Sequence, residues 1–318
     1  MTRTGWLNWL IYLALMAGWM VWLGWGKPVA ITGLFVTSGL AVGSLYALGG
    51  VGMVVLYRAS GVLNFSSGAA GAAGAMTAWQ LVQWGWWPPL SWLACIAVSL
   101  VLTLAYGRLI APLLAWRETV VKAVATLGFA LILLGLVAYL WPDDPRSIEL
   151  PTDAVSITLM KMKVTGTRLM AFAASLLVAG GIYLFLGRTE VGLQMRAVAN
   201  DRELSALLGI PILKVETIAW GISGLIAGFT GLMFADLIRL EPVVLTFMVI
   251  PSIAAALSGR LDSLLLVLVG GLSMGVIESM LTLSPLLKGV RPIAPFVIAA
   301  LVLLYNQRGT RLVFAGRG

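Results

Sequence analysis

The sequence predicts an all-α polytopic membrane protein, with about 8–10 transmembrane helices, broken or re-entrant segments and a short cytoplasmic coupling helix. Three observations carry this expectation. Residues 28–57, and again residues 59–107, contain no Asp, Glu, Lys or Arg. Of the 318 residues, 60% are hydrophobic and only 11% are charged, more apolar chain than a water-soluble domain buries. Uncharged stretches near the roughly 20 residues that cross a bilayer as a helix recur along the whole length. They are apolar on all sides rather than alternating, which excludes a β-barrel. A single transmembrane domain over 1–318 is the expected organisation, with no length left for a sizeable soluble unit.

Taken in order, the expected spans are 6–25, 31–57, 69–87, 90–110, 122–141, 169–187, 215–236, 243–258, 264–284 and 293–306. The first follows Arg3 and exceeds the apolar core of a signal peptide, and no A-x-A site ends it, so it reads as a retained helix. Pro88-Pro89, Pro142, Pro145, Pro242 and Pro292 punctuate the segments, as residues unable to continue a helix should. Whether 243–258 crosses or re-enters is open.

Two connections are long. Residues 142–168 carry both charge signs and form an expected extracytoplasmic loop, where Val155, Ile157 and Leu159 alternate with polar neighbours as in a short hairpin. Residues 188–214 form an expected cytoplasmic coupling loop. The net charge of +8 lies between apolar segments, which is a topology signal and not a nucleic-acid signature. Assigning the 21 basic residues to alternating sides favours both termini in the cytoplasm. Trp84, Trp86, Trp87 and Trp141 then fall at outer ends, at headgroup level.

The coupling loop reads RTEVGLQMRAVANDRELSALLGIPILK. Asn200 and Glu203 have capping-box spacing, with Asn in place of Ser or Thr. Leu204, Leu207 and Leu208 make one apolar face, Gly209 supplies a left-handed stop, and Pro211 blocks a restart. A helix of about two turns follows, packed on the membrane face with Arg202 and Glu203 turned to the cytoplasm. It is either an ordinary interfacial connector or a knob that fits a separate ATPase. Arg196, Asn200, Asp201, Arg202, Glu203, Leu207 and Gly209 are the candidate coupling residues.

Within the membrane, Gly61–Gly74 has the small and polar composition of a broken helix, whose unwound backbone can face a solute. Close packing of small residues would produce the same composition. Asn64 has the best claim there, because a side-chain amide in the membrane needs partners. Glu278 follows a long uncharged run and either lines a pathway or gate or sits among outer headgroups. Gly39/Gly43/Ala47, Gly224/Gly228 and Gly271/Gly275 have the spacing of close helix contacts, within the chain or with a second subunit. Arg260 and Asp262 read as a turn with a weak ion pair. Asp236, Arg239 and Glu241 read as a solvated helix end or a docking point for an external partner.

Several chemistries are excluded. There is no histidine, and Cys95 stands alone in an apolar run, so metal and proton-relay sites lack their usual groups and no cofactor is expected. No P-loop, H-E-x-x-H or G-x-S-x-G pattern occurs, so the chain itself is not expected to be an enzyme.

Three stretches resemble the bacterial branched-chain amino acid ABC permeases of the LivH type. Gly192–Ala199 followed by Ala206–Ile210 is similar to that family's cytoplasmic signature. Gly43-Ser44-Leu45-Tyr46-Ala47-Leu48 leads into Gly61-Val62-Leu63-Asn64-Phe65-Ser66-Ser67-Gly68, where the family has G-x-x-Y-A-L and then an I-N-F-A-H-G-E type break. Ala256–Gly259 through Gly270-Gly271 to Glu278 resembles its glycine-rich segment. The resemblance implies a bacterial inner-membrane importer subunit working by ATP-driven alternating access. It implies a second related permease, two cytoplasmic ABC ATPase subunits and an extracytoplasmic solute-binding protein as partners, besides membrane lipid, and no nucleic acid. It places Tyr46, Asn64, Phe65, Ser66, Ser67, Gly68 and Glu278 along the substrate pathway. Ser67 and Ala69 stand where many relatives have His and Glu, which leaves the sister urea, amide and aromatic-acid importers open. An ion-coupled carrier acting alone is the rival from another class, and Glu278 is its only plausible mid-membrane carboxylate. A non-transporting scaffold would leave the Asn64 break and the cytoplasmic knob unexplained.

Overall fold

The computed structural model describes residues 26–141, 146–148, 150–159 and 162–307, together with Gly18, Trp22 and Gly24. Apart from those three residues the expected span 6–25, like the arginines after Gln307, lies outside the described residues. The chain is an all-α polytopic membrane protein, and six of its described helices are long and apolar enough to cross a bilayer.

The first is α1 (Val29–Ser60), which ends when Gly61 turns left-handed at φ 68° and its N–H returns to Tyr57 O. After the break at 61–66 come α2 (Ser67–Gln83) and α3 (Pro88–Ala105). Gly85, at φ 80°, and Trp86 donate back to Val82 and Leu81, closing α2 several residues before the expected end at 87. The prolines Pro88-Pro89 then start α3 at the positions where a helix tolerates them. α3 continues through a π-turn at Tyr106–Ile110 and a 3-10 turn to Leu114. There Gly107 lies against the Trp220 ring, where any side chain would collide.

Next come α4 (Thr119–Leu140) and the antiparallel pair β1 (Ser156–Leu159) and β2 (Met162–Thr165), which is the hairpin expected from the alternation. α5 (Gly166–Arg188), α6 (Glu190–Asn200), α7 (Arg202–Leu207) and α8 (Ile212–Leu237) follow. The expected span 243–258 is divided at Met248 into α9 (Pro242–Phe247) and α10 (Val249–Ser258), and falls short of the other spans. α11 (Leu264–Leu281), a 3-10 turn at Lys288–Ile293 and α12 (Ala294–Gln307) complete the described chain.

α1 is the hub, packing on α11, α8, α10 and α5, while α2 and α3 pack on α8. In α1 and α8, 83% and 72% of the apolar window is buried, against 22% in α4, so the first two are interior and α4 faces outward. Where membrane removes the hydrophobic drive between helices, small residues that let backbones meet take over. All three expected small-residue ridges are used inside the chain. Gly39 and Gly43 of α1 face Gly275 and Gly271 of α11, and a Cβ on Gly39 would stand 2.7 Å from Gly275 O. Gly224 and Gly228 of α8 take the backbone of α3 at Ile96–Leu100, and Gly231 meets Gly71.

The two ends of the bundle differ in chemistry. At one end, Trp84, Trp86 and Trp87 are exposed, and the indole of Trp141 donates to Gln80 Oε1 at 3.0 Å. The hairpin end joins them: Asp236 accepts from Leu150 N at 3.1 Å, and the Arg146 guanidinium lies 4.8 Å from the Trp79 ring centre. The opposite end gathers Arg58, Lys122, Arg196, Arg202 and Arg260 around one cleft.

Candidate translocation path and coupling segment

The break between α1 and α2 is a folded object. Asn64 is 1% exposed, and its Oδ1 accepts from Ser66 N at 2.9 Å and from Ser66 Oγ at 2.7 Å. This turn starts α2, because Asn side chains bond their own backbone two residues on. Asn64 Nδ2 reaches Ser223 Oγ of α8 at 3.4 Å. Thr126 of α4 fastens the same segment, donating to Leu63 O and accepting from Phe65 N, each at 3.1 Å. The Asn64 amide therefore holds the break in shape instead of facing open space. Ser66 is buried with it, and Phe65 is half-buried.

On one side of this break lies a cavity of about 30 Å³, bounded by Ser67, Gly68, Ser223, Thr230, Ser252, Phe234 and Met248 among others. A single water needs roughly 10–15 Å³ by this measure. The cavity thus admits a water or two and no amino acid. Its walls come from α1, α2, α8, α9 and α10, and several are hydroxyls. Of the expected pathway residues, Ser67 and Gly68 line it.

Tyr46 and Glu278 lie beyond its Phe234–Met248 wall. The Tyr46 ring centre is 5.6 Å from that of Phe234, and its hydroxyl stands 3.8 Å from Met248 Sδ. That hydroxyl donates to Glu278 Oε2 at 2.9 Å, while Arg291 Nε donates to Glu278 Oε1 at 3.1 Å. Glu278 is neither solvated among headgroups nor free: it ties α1, α11 and the 3-10 turn together. Arg291, absent from the expected site, was signalled only by its separation of thirteen residues from the carboxylate.

On the other side of the break is the cleft of about 680 Å³ that Arg58, Lys122, Arg196, Asn200, Arg202, Arg260 and Asp262 help to line. The expected Arg260–Asp262 pair is replaced by Arg58–Asp262, 2.5 Å apart, because Arg58 reaches across from the end of α1. Arg260 and Leu261 have φ of 55° and 56°, left-handed values that cost a residue with a Cβ about 1–2 kcal/mol each. Their N–H groups return to Leu257 and Ala256, closing α10 where glycine is usual.

The coupling segment also departs from expectation. Asn200 ends α6 and does not cap α7; Asp201 does, accepting from Leu204 N at 2.9 Å. α6 has its own cap in Thr189, whose hydroxyl accepts from Gly192 N at 3.0 Å. Arg202 turns inward, not to the cytoplasm, pairing with Glu216 of α8 and lying 5.8 Å from the Trp116 ring centre. Glu216 is 7% exposed and went unnoticed in the sequence, although a lone acid near the start of an apolar span needs such a partner. Arg196, Asp201 and Glu203 remain exposed. Gly209 has φ 78° and donates to Ala206 O, while Ile210 donates to Ser205 O, the paired closure expected of a glycine stop. Leu204, Leu207 and Leu208 are 52%, 85% and 72% exposed, so this apolar knob is largely uncovered among the described residues.

A sequence profile of the family described as branched-chain amino acid transport system / permease component matches residues 35–305. A probable branched-chain amino acid transport permease LivH of Methanocaldococcus jannaschii is 27% identical over 81% of this chain and 82% of its own length. The high-affinity branched-chain amino acid permease BraD of Pseudomonas aeruginosa is 25% identical over 86% and 93%. The L-arabinose permease AraH of Escherichia coli is 26% identical over 41% of this chain and 43% of its own. No solved structure matches the chain. With the family profile spanning the helices that build both the closed cavity and the coupling segment, this chain belongs to the permease components of branched-chain amino acid transport systems.

Proposed function

We propose that the chain is a membrane-spanning subunit of an ATP-driven ABC importer that moves branched-chain amino acids or closely related small polar solutes by alternating access. The observation that carries this is a cross-linked break at 61–66, with a hydroxyl-rich cavity closed to about 30 Å³ on one side and a cleft of about 680 Å³ on the other. One narrow and one wide compartment about a fixed septum is the shape of a path open to one side only. In this reading the arginine-lined end faces the cytoplasm and the tryptophan end faces outward.

ATP hydrolysis belongs to partners. Two cytoplasmic ATPases engage the exposed Leu204–Leu207–Leu208 knob, a second related permease completes the membrane unit, and a solute-binding protein delivers cargo outside. Arg202, fixed to Glu216, passes displacement of α7 to α8, which walls the closed cavity. The carrier reading is disfavoured because Glu278 already holds Tyr46 and Arg291 and is not free to exchange ions. The test is uptake of labelled leucine, isoleucine and valine into proteoliposomes holding the chain with the subunits encoded beside it. Uptake that requires ATP, the binding protein and all partners is expected. Uptake by the chain alone, driven by an ion gradient, overturns the proposal.

A further inference from the structure

The wide cleft carries more positive charge than its own construction requires. Arg58 is matched by Asp262 and Arg202 by Glu216. Lys122, Arg196 and Arg260 also line it. Glu216 acts on Lys122 as well as on Arg202, and no ion pair holds Arg196 or Arg260 among the described residues. Two carboxylates against five cations leave three positive charges unmatched. Lys122, Arg196 and Arg260 come from three separate elements: the start of α4, the last turns of α6 and the turn after α10.

A structural explanation exists for some of this charge. The carbonyl ends of α1, α6 and α10 open at the cleft through Gly61, Asn200 and Arg260. Each such end acts as about half a negative charge. Three of them offset about half of the three unmatched cations, and roughly one and a half positive charges remain. A concave wall concentrates that remainder and attracts counter-ions. Two further details agree. Arg202 Nε is buried without an acceptor, which buried donors rarely tolerate. The φ values of Arg260 and Leu261 show a strained turn held by Arg58, which donates to both the side chain and the carbonyl of Asp262. Strain maintained in this way clusters at ligand clamps and switch regions.

We propose that this cleft is an exit site for a monoanionic carboxylate, in which Lys122, Arg196 and Arg260 hold the carboxylate of a solute that has passed the Asn64 septum. The assignment rests on the transport reading for its place on the path, but the binding chemistry stands apart from it. It divides acids from the neutral amides, urea and sugars that related systems could carry. A phosphate headgroup of an anionic lipid offers similar chemistry, and the test separates the two.

The full chain is placed in phosphatidylcholine nanodiscs, without partners or ATP, and titrated with isovalerate and with its neutral isostere isovaleramide, followed by ligand-observed NMR. Isovalerate is expected to bind and isovaleramide not to. Lys122→Gln with Arg196→Gln should weaken isovalerate about tenfold or more, whereas Lys122→Arg with Arg196→Lys should retain it. Melting temperatures near the parent show that both variants fold. Equal binding of isovaleramide, or isovalerate binding indifferent to the Gln pair, overturns the proposal. So does retention of phosphatidylglycerol that depends on these residues, seen by native mass spectrometry, with no isovalerate binding. Carboxylate binding without ATP-driven uptake in the full complex removes the transport reading and leaves the site; ATP-driven uptake without carboxylate binding does the reverse.

Discussion

Asn64 engages Ser66 twice and Ser223 once from a position 1% exposed, so its removal takes the acceptor from two buried donors of Ser66. Each buried group left unsatisfied costs about 1–3 kcal/mol. Asn64→Ala should therefore lower the melting temperature of the solubilised chain and abolish uptake, while Asn64→Ser, whose uncharged hydroxyl can still accept from Ser66 N, should lose markedly less stability. Equal melting of the two variants would show that the turn at Ser66 does not depend on this side chain. Glu278→Ala should cost about 1–3 kcal/mol by leaving the Tyr46 hydroxyl alone. The Arg291 contribution is smaller, because that side chain is 42% exposed and water screens it. The swapped pair Glu278→Arg with Arg291→Glu should recover part of the loss in a thermal melt, and no recovery would dissolve the pairing. The importance of Asn64 and Glu278 was legible from a polar group in an apolar run. Their roles were not, because Ser223, Thr126 and Arg291 lie far along the chain and only the fold brings them near.

At the scale of elements, α7 is short, capped at both ends and tied inward through Arg202, yet its leucines are uncovered. Gly209→Val places a β-branched residue at φ 78°, a cost of about 1–2 kcal/mol, and dismantles the closure to Ala206 and Ser205. Uptake should fall severalfold while ATPase activity of the assembled complex persists, a split read by measuring both in one preparation. Loss of both together would mean a failure of assembly. The helix stop at Gly209 was anticipated by glycine chemistry; those at Gly61 and Gly85 use the same chemistry but were not read as stops, and nothing local marks Arg260 for a left-handed turn. The capping of α7 shifted from Asn200 to the adjacent Asp201 because α6 runs on to Asn200, and continuity of a helix outweighs an isolated cap signal.

At the scale of the molecule, sidedness is open to a simple measurement. Cys95 is buried with Ser99 and Gly228, so it should stay silent to membrane-impermeant thiol reagents and the native chain can serve as background. Leu207→Cys should label only from the cytoplasmic face of inverted vesicles, and Trp84→Cys only from the opposite face. Labelling of both from one side would refute the orientation. The helical, lipid-solvated architecture followed from composition and run lengths alone, as did the hairpin from its alternation. The division of 243–258 at Met248 and the gathering of five cations about one cleft did not, since each depends on which helices become neighbours.

The glycine contact between α1 and α11 has a mechanical corollary. Backbones that touch with no side chains between them can neither interdigitate differently nor slide by a rotamer, so the two helices must travel as one welded beam. Spin labels bridging that beam should report a constant separation through the whole ATP cycle, and labels set from α1 to α8 should record the stroke.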